Sequence, residues 1–186
     1  MTTIKNTLVL TSGGIDSSAC VDYYINGGFS VAGLFIDYGQ ISAPKEESAA
    51  MNISKYYNIP LQKIKLTGFR KWSDGYIPGR NAFLLHGALM AFKHDTGIIS
   101  IGIHAGTNYN DCSESFVETM QSSFDLYTDG CIRIGVPFIK WNKRMIWDYC
   151  KTKKIPLEIT YSCELGQDQP CGQCLSCKDL EALHVS

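Results

Sequence analysis

The chain has 186 residues, 45% of them hydrophobic and 19% charged, with a net charge of −1 and eight cysteines. That length suits one domain with a sizeable core, and the near-neutral charge argues against a protein that grips nucleic acid chiefly through its phosphates. No apolar run is long enough to span a bilayer, and Met1 to Asn6 lacks the features of a signal peptide, so a cytoplasmic protein with no membrane partner is expected.

In chain order, Leu8 to Leu10 reads as a buried strand that breaks at Ser12-Gly13-Gly14, and Ser17 to Ile25 as a helix stopping near Gly27-Gly28. Val31 to Ile36 is a second strand. Ser42 is placed to cap the next helix, with Pro44 in its first turn and Glu46 and Glu47 near its positive end. That helix stops before Asn58-Ile59-Pro60. Leu61 to Leu66 is a third strand, followed by a loop from Thr67 to Arg80.

Asn81 is a candidate cap for a heavily apolar helix reaching Phe92, and Ile98 to Ile103 is a fourth strand. After a polar loop, Asp111 to Glu114 has the capping-box pattern for a helix to about Tyr127. Ile132 to Val136 is the fifth strand, and Asn142 caps a helix to about Thr152. His86 and His94 fall within a helical run and His184 in a tail; only His104 reaches a strand-end loop.

Such alternation predicts an α/β fold, a mostly parallel sheet with helices on both faces. Residues 1–157 form the expected α/β unit, and 158–186 a small segment packed on it. Ligands of these folds gather at the carboxyl ends of the strands. Three loops end there: Thr11 to Ser18, Asp37 to Gln40, and His104 to Cys112.

The first loop is neither a Walker A pattern nor the G-x-G-x-x-G of a dinucleotide fold. Its glycines leave backbone N–H groups uncovered, Ser12 and Ser17 add hydroxyls, and the helix dipole adds positive potential for an anion. Asp16 would repel phosphate, so it suits a Mg²⁺ ligand or a helix cap. The plainer alternative for the whole motif is a tight turn with a cap.

Cys20, Cys112, Cys131 and Cys150 are scattered, whereas Cys163, Cys171, Cys174 and Cys177 are bunched. Disulfides seldom persist in a reducing compartment, so bunched thiols point to metal or redox chemistry. The spacing C-x7-C-x2-C-x2-C suits tetrahedral zinc, and Gly166, Pro170 and Gly172 supply turns to wrap an ion. An iron–sulfur cluster and four free cysteines are the alternatives.

"SGGIDSS" (Ser12 to Ser18) resembles the pyrophosphate loop of PP-loop ATP pyrophosphatases. "FIDYGQ" (Phe35 to Gln40), "IPGRN" (Ile77 to Asn81), "DCSESF" (Asp111 to Phe116) and "CELGQDQPCGQCLSC" (Cys163 to Cys177) together resemble the 7-cyano-7-deazaguanine synthase family, in that order. The resemblance implies ATP-dependent adenylation of the carboxylate of 7-carboxy-7-deazaguanine, amide formation with ammonia, and a second ATP step to the nitrile. It implies ATP and Mg²⁺ at Thr11, Ser12, Gly13, Gly14, Ile15, Asp16, Ser17 and Ser18, with nucleotide or metal also near Phe35 and Asp37. Ser12, Asp16 and Lys143 become candidate catalytic residues, Lys143 facing the departing pyrophosphate. The alternative for Lys143 is a solvated lysine. Arg80 and Asn81 orient substrate or phosphate, unless Asn81 only caps its helix. Zn²⁺ is implied at the four bunched cysteines, and a homodimer is implied as well.

The chain departs from that family in several places. It is short, and the segments before Ile77 and Cys112 are abbreviated. Ser113 and Ser115 replace a usual arginine and glutamate, and Leu180 stands where an arginine is usual. These changes suit a paralogue with an opened acceptor side, and the family has relatives in bacterial antiviral operons. Four readings follow: nitrile synthesis, ligation of the activated deazaguanine to a protein amine, a non-catalytic zinc-ribbon module, and tRNA thiolation. The intact phosphate loop disfavours the third, and the net charge and the lone strand-end thiol, Cys112, disfavour the fourth.

Overall fold

β1 (Asn6–Leu10) is the middle strand of a five-stranded sheet in the computed structural model, which describes residues 6–68, 76–107 and 109–184. It is followed by α1 (Ile15–Asn26), β2 (Ser30–Asp37), α2 (Ala43–Tyr56), β3 (Leu61–Lys65), α3 (Arg80–Ala91) and β4 (Gly97–Ser100). Then come α4 (Glu114–Thr128), β5 (Ile132–Gly135), α5 (Lys143–Lys153) and α6 (Leu175–His184). The strand order is β3-β2-β1-β4-β5, and every pair is parallel.

Parallel strands need crossovers, and helices from those crossovers cover both faces of the sheet. Central strands are therefore apolar throughout. In β1, Leu8 and Leu10 point to one face, against Leu85 of α3 and Phe124 of α4, while Val9 points to the other, against α1, α2 and α5 through Ala19, Ile53 and Ile146. Right-handed crossovers explain the division. The chain winds from β1 toward β3 on one side, then returns across β1 to β4 and β5 on the other. The crevice left at the carboxyl ends of β1 and β4 is where such a sheet holds ligands.

Several local expectations are corrected. Asn81 does not cap α3: Gly79 holds that position with φ 77°, and Asn81 lies inside the helix, 4% exposed. Asp111 belongs to a short 3-10 turn, Asn110–Cys112, and Ser113 is the cap of α4, its hydroxyl accepting from the Phe116 amide at 3.2 Å. Ser42 precedes α2 but makes no side-chain cap bond; its hydroxyl donates to Glu46 instead. α3 ends at Ala91, so His94 lies beyond it. α6 is an element that the sequence pattern did not suggest. Residues 69–75 of the expected loop, together with Met1 to Lys5 and Asn108, lie outside the described residues.

Candidate active site

The chain leaves β1 through Thr11, whose amide donates to the Leu34 carbonyl at 2.8 Å and whose hydroxyl turns back to the Val9 carbonyl at 2.9 Å. Gly13 follows with φ 75°, and a Cβ there would lie 2.5 Å from Ala49 Cβ and 2.6 Å from the Ala50 nitrogen. Only glycine lets α2 press against the turn. Gly14 is the N-cap of α1, and its carbonyl accepts from the Ser18 amide, the Ser17 hydroxyl and the Ser18 hydroxyl at 3.0, 3.0 and 2.8 Å. Ser12 Oγ lies 3.3 Å from Ser17 Oγ. The turn is thus stretched over the positive end of a helix, where N–H groups lack intrahelical partners. Thr11, Ser12, Gly14, Ile15, Asp16 and Ser17 line a cavity of about 600 Å³; Gly13 and Ser18 shape the turn behind it.

Asp16 is no cap. It sits in the first turn of α1, and both of its oxygens accept from Lys143 Nζ at 2.7 Å, the two side chains being 23% and 22% exposed. Lys143 is the first residue of α5, where the helix dipole disfavours a cation; the Asp16 carboxylate offsets that. Asn142 caps this helix as expected, accepting from the Met145 amide at 2.9 Å.

His104 completes the cluster, a placement that its sequence context does not indicate. It is 6% exposed, and its Nδ1 accepts from the Gly106 amide at 3.0 Å, so the proton of the neutral ring is on Nε2. Nε2 lies 3.8 Å from Asp16 Oδ2, longer than a hydrogen bond. Burial holds the imidazole below its ordinary pKa; Asp16 opposes that shift and Lys143 reinforces it. Two glycines fix the ring's place. A Cβ on Gly102 would lie 3.0 Å from the Ser17 nitrogen, and one on Gly106 would lie 2.9 Å from His104 Nδ1 and 3.2 Å from the Lys143 nitrogen. The Ala105 amide also donates to the Trp141 carbonyl at 2.9 Å, so the loop after β4 is pinned against the starts of α1 and α5. No sequence motif surrounds His104; only the fold brings it to Asp16.

The three strand-end loops converge on the same cavity. Phe35 lines it from below, 2% exposed and packed with Ala43 and Ala50. Asp37 is turned aside: its oxygens take the Gly39 amide at 3.0 Å and Lys65 at 3.4 Å, and it is not among the lining residues. Arg80 and Asn81 both reach the wall, with Arg80 Nε donating to Asn81 Oδ1 at 3.3 Å and Asn81 Nδ2 to the Asp111 carbonyl at 3.2 Å. Glu46 lines the wall too, its carboxylate held by Gln40 Nε2 at 2.9 Å and Ser42 Oγ at 2.6 Å. Its position in a first helical turn had pointed only to the dipole.

The last wall is the C-terminal segment. The Tyr161 amide donates to the Gly13 carbonyl at 2.9 Å, Lys45 pairs with Asp168, and Glu164, Ser176, Asp179 and Leu180 face the cavity. Glu164 Oε1 accepts from the Ser176 amide at 3.3 Å and its hydroxyl at 2.8 Å. Behind this wall the four Sγ atoms of Cys163, Cys171, Cys174 and Cys177 lie within 4.8 Å of one another, and those of Cys171 and Cys177 are 3.8 Å apart. A thiolate tetrahedron with arms of about 2.3 Å has edges of about 3.8 Å, so the quartet fits a tetrahedral metal ion. Amides of Cys174 and Gln173 lower the Cys171 thiol to about 6, whereas burial pushes Cys177 up to about 12.

Residues 6–75 and 70–182 match the family profile described as "Queuosine biosynthesis protein QueC". The chain belongs to the QueC family. It is 30% identical to a 7-cyano-7-deazaguanine synthase of Prochlorococcus marinus (strain NATL1A), over 94% of this chain and 90% of that protein. It is 28% identical to the protein of the same name from Campylobacter jejuni (strain RM1221), over 93% and 90%. Like other QueC-family members it is an ATP-dependent enzyme of the PP-loop type. Its fold is shared with the U34-tRNA thiolase NcsA of Methanococcus maripaludis, at TM-score 0.58 and 14% identity over 97% of this chain and 65% of that one. NMN synthetase from Francisella tularensis shares it at TM-score 0.50 and 17% identity, over 98% and 77%. No helix among the described residues is long and apolar enough to cross a membrane.

Proposed function

We propose that this QueC-family enzyme activates the carboxylate of 7-carboxy-7-deazaguanine with ATP and passes the acyl group to an amine. The observation that carries the reading is that the Ser12–Ser17 turn and Lys143, which is paired with the turn's own Asp16, line one cavity at the β1/β4 crevice. A substrate carboxylate oxygen attacks the α-phosphorus, the bond to the bridging oxygen breaks, and pyrophosphate leaves. An amine then attacks the acyl carbon, loses a proton, and expels AMP. The turn's N–H groups and the Ser12 and Ser17 hydroxyls hold the phosphates, and Lys143 takes up charge on the departing pyrophosphate.

The donor set fits two metals. Asp16 supplies the carboxylate oxygen that Mg²⁺ favours, and that ion would neutralise phosphate charge. Cys163, Cys171, Cys174 and Cys177 would hold zinc, making residues 158–186 a metal-stapled unit against the α/β unit of 1–157.

A second reading has a bulky amine, delivered by a protein, as the acceptor. Leu180 lines the cavity where the family resemblance calls for arginine. Ser113 is committed to the Asn110 carbonyl at 2.7 Å and the Phe116 amide at 3.2 Å. Neither brings a cation to the acceptor side. tRNA thiolation is disfavoured, because burial raises the Cys112 thiol.

Mass spectrometry of the protein with ATP, Mg²⁺, 7-carboxy-7-deazaguanine and ammonia tests the proposal. Nitrile supports the first reading. Acyl-adenylate without nitrile, with mass added to a protein, supports the second. Absence of AMP and pyrophosphate overturns both.

A further inference from the structure

The Asp16–Lys143 pair poses a problem for any phosphate ligand. Both Asp16 oxygens accept from one ammonium, and no other hydrogen bond to them occurs among the described residues. A polyphosphate arriving over the Ser12–Ser17 turn carries more negative charge than a carboxylate and competes for Lys143. If Lys143 turns to the phosphates, Asp16 is left three-quarters buried without a donor, facing an anion. An unpartnered carboxylate there would swing away. That response spoils it as a metal ligand.

His104 is placed to prevent this. Apart from Lys143, it is the only basic side chain within 4 Å of the Asp16 carboxylate among the described residues. Its Nδ1 is engaged by the Gly106 amide, which puts the proton on Nε2, the atom aimed at Asp16 Oδ2. The ring lines the cavity and cannot drift, because Gly106 leaves room for it and the Ala105 amide ties the loop to Trp141.

We propose that His104 is a positioning residue for Asp16: its Nε2–H takes Oδ2 when Lys143 turns to the phosphates, leaving Oδ1 to face the Mg²⁺ of the bound nucleotide. The exchange moves no proton; it trades a charged donor for a neutral one already in the cavity. The Asp16 carboxylate keeps one fixed orientation. This rests on the reading of the Ser12–Ser17 turn as a Mg·ATP site, but not on the identity of the acid that is activated.

The two ring nitrogens can be tested apart. In His104→Gln the side-chain amide nitrogen stands near the Nε2 position and keeps a donor toward Asp16. In His104→Asn the side-chain oxygen stands near Nδ1 and keeps the acceptor for Gly106, but nothing reaches Asp16. The probe is a non-hydrolysable α,β-methylene ATP, titrated with and without Mg²⁺. We expect the Gln variant to bind within about threefold of wild type under both conditions. The Asn variant should lose about tenfold with Mg²⁺ and nothing without it, with its thermal midpoint kept. Asn binding like wild type in Mg²⁺ would overturn the proposal and leave His104 a loop brace.

A second readout needs no variant. Nitrogen NMR of the His104 imidazole should show the Nε2–H tautomer in the free protein. Its Nε2 resonance should shift when Mg²⁺ and the analogue are added, as a hydrogen bond forms. An unmoved Nε2 in a nucleotide-bound protein would also overturn the proposal. Wild type that binds no nucleotide would instead overturn the Mg·ATP reading beneath it.

Discussion

Asp16 and Lys143 are 127 residues apart in the chain and meet through two contacts of 2.7 Å; Asp22 and Tyr149, also 127 apart, meet at 2.8 Å. Equal separations mean that α1 and α5 run side by side, parallel and in one register. The upper contact crosses the floor of the cavity, and the lower one is in the interior, where Asp22 is 4% exposed. The Ser12–Ser17 turn and Lys143 therefore ride on one two-helix unit. Their spacing is set by packing well below the site.

The first prediction concerns Lys143. Lys143→Ala should lower the rate of AMP and pyrophosphate formation by about 10²–10³-fold, the usual loss for a group aimed at developing charge. The cap of α5 belongs to Asn142, so the fold should persist. Rate measurements beside far-UV circular dichroism would check it. Full turnover in the variant would remove Lys143 from the site.

The lower contact gives a pH prediction. Tyr57 and Tyr149 both donate to Asp22, at 3.1 and 2.8 Å. Burial, and then the Asp22 carboxylate, raise both phenols above the ordinary tyrosine value. Below about pH 10 the phenols are neutral in both folded and unfolded chains, and the stabilisation is fully present. Above it the unfolded chain ionises first, so stability falls as pH rises toward the folded values. Asp22→Asn should lower stability at neutral pH by about 1–3 kcal/mol, while the alkaline decline persists because burial, the larger cause, remains. Urea unfolding at about pH 8 and about pH 10.5 would decide it. Unchanged stability at about pH 8 would refute the role of Asp22.

How far the sequence discloses this site depends on how local each signal is. The glycines of the Ser12–Ser18 turn and the spacing of Cys163 to Cys177 are local, and both stretches lie where their patterns placed them. Helix starts were harder. Asp111 fits a capping box in the sequence, but it belongs to a separate 3-10 turn, Asn110–Cys112, and Ser113 two residues on holds the Phe116 amide. α6 was hidden because two of the four clustered cysteines lead into it, although Cys177, Leu180 and Leu183 recur at helical spacing. His104 and Asp37 mark the limit. Both stand at strand ends, yet tertiary contacts turn one toward Asp16 and the other toward Lys65.

The third prediction is one zinc ion per chain in a colourless protein. Cys174→Ser should lose the metal and several kcal/mol of stability, because binding free energy at such a site is folding free energy. The damage should reach the cavity proposed to hold the nucleotide, since the Tyr161 amide holds the Gly13 carbonyl from the same segment. Metal analysis and nucleotide titration of the variant would show both effects. A brown protein carrying iron and labile sulfide would reverse the choice of metal.

The last prediction concerns Gly13, where two costs coincide. Its φ of 75° is strained for any L side chain, and a Cβ would strike Ala49 Cβ at 2.5 Å and the Ala50 nitrogen at 2.6 Å. The second obstacle is backbone of α2 and has no rotamer by which to escape. Gly13→Ala should therefore destabilise the protein by about 2–5 kcal/mol, combining overpacking with left-handed strain. It should also separate α2 from the turn, so nucleotide affinity falls even in molecules that stay folded. Adding Ala49→Gly removes the Cβ–Cβ overlap but leaves both the Ala50 nitrogen and the backbone strain. The double variant should recover only part of the lost stability and little of the nucleotide binding. Thermal midpoints and nucleotide titrations of the three proteins would test this. Complete recovery of both would mean that the Ala49 methyl alone, rather than the close approach of α2 backbone, requires glycine at this position.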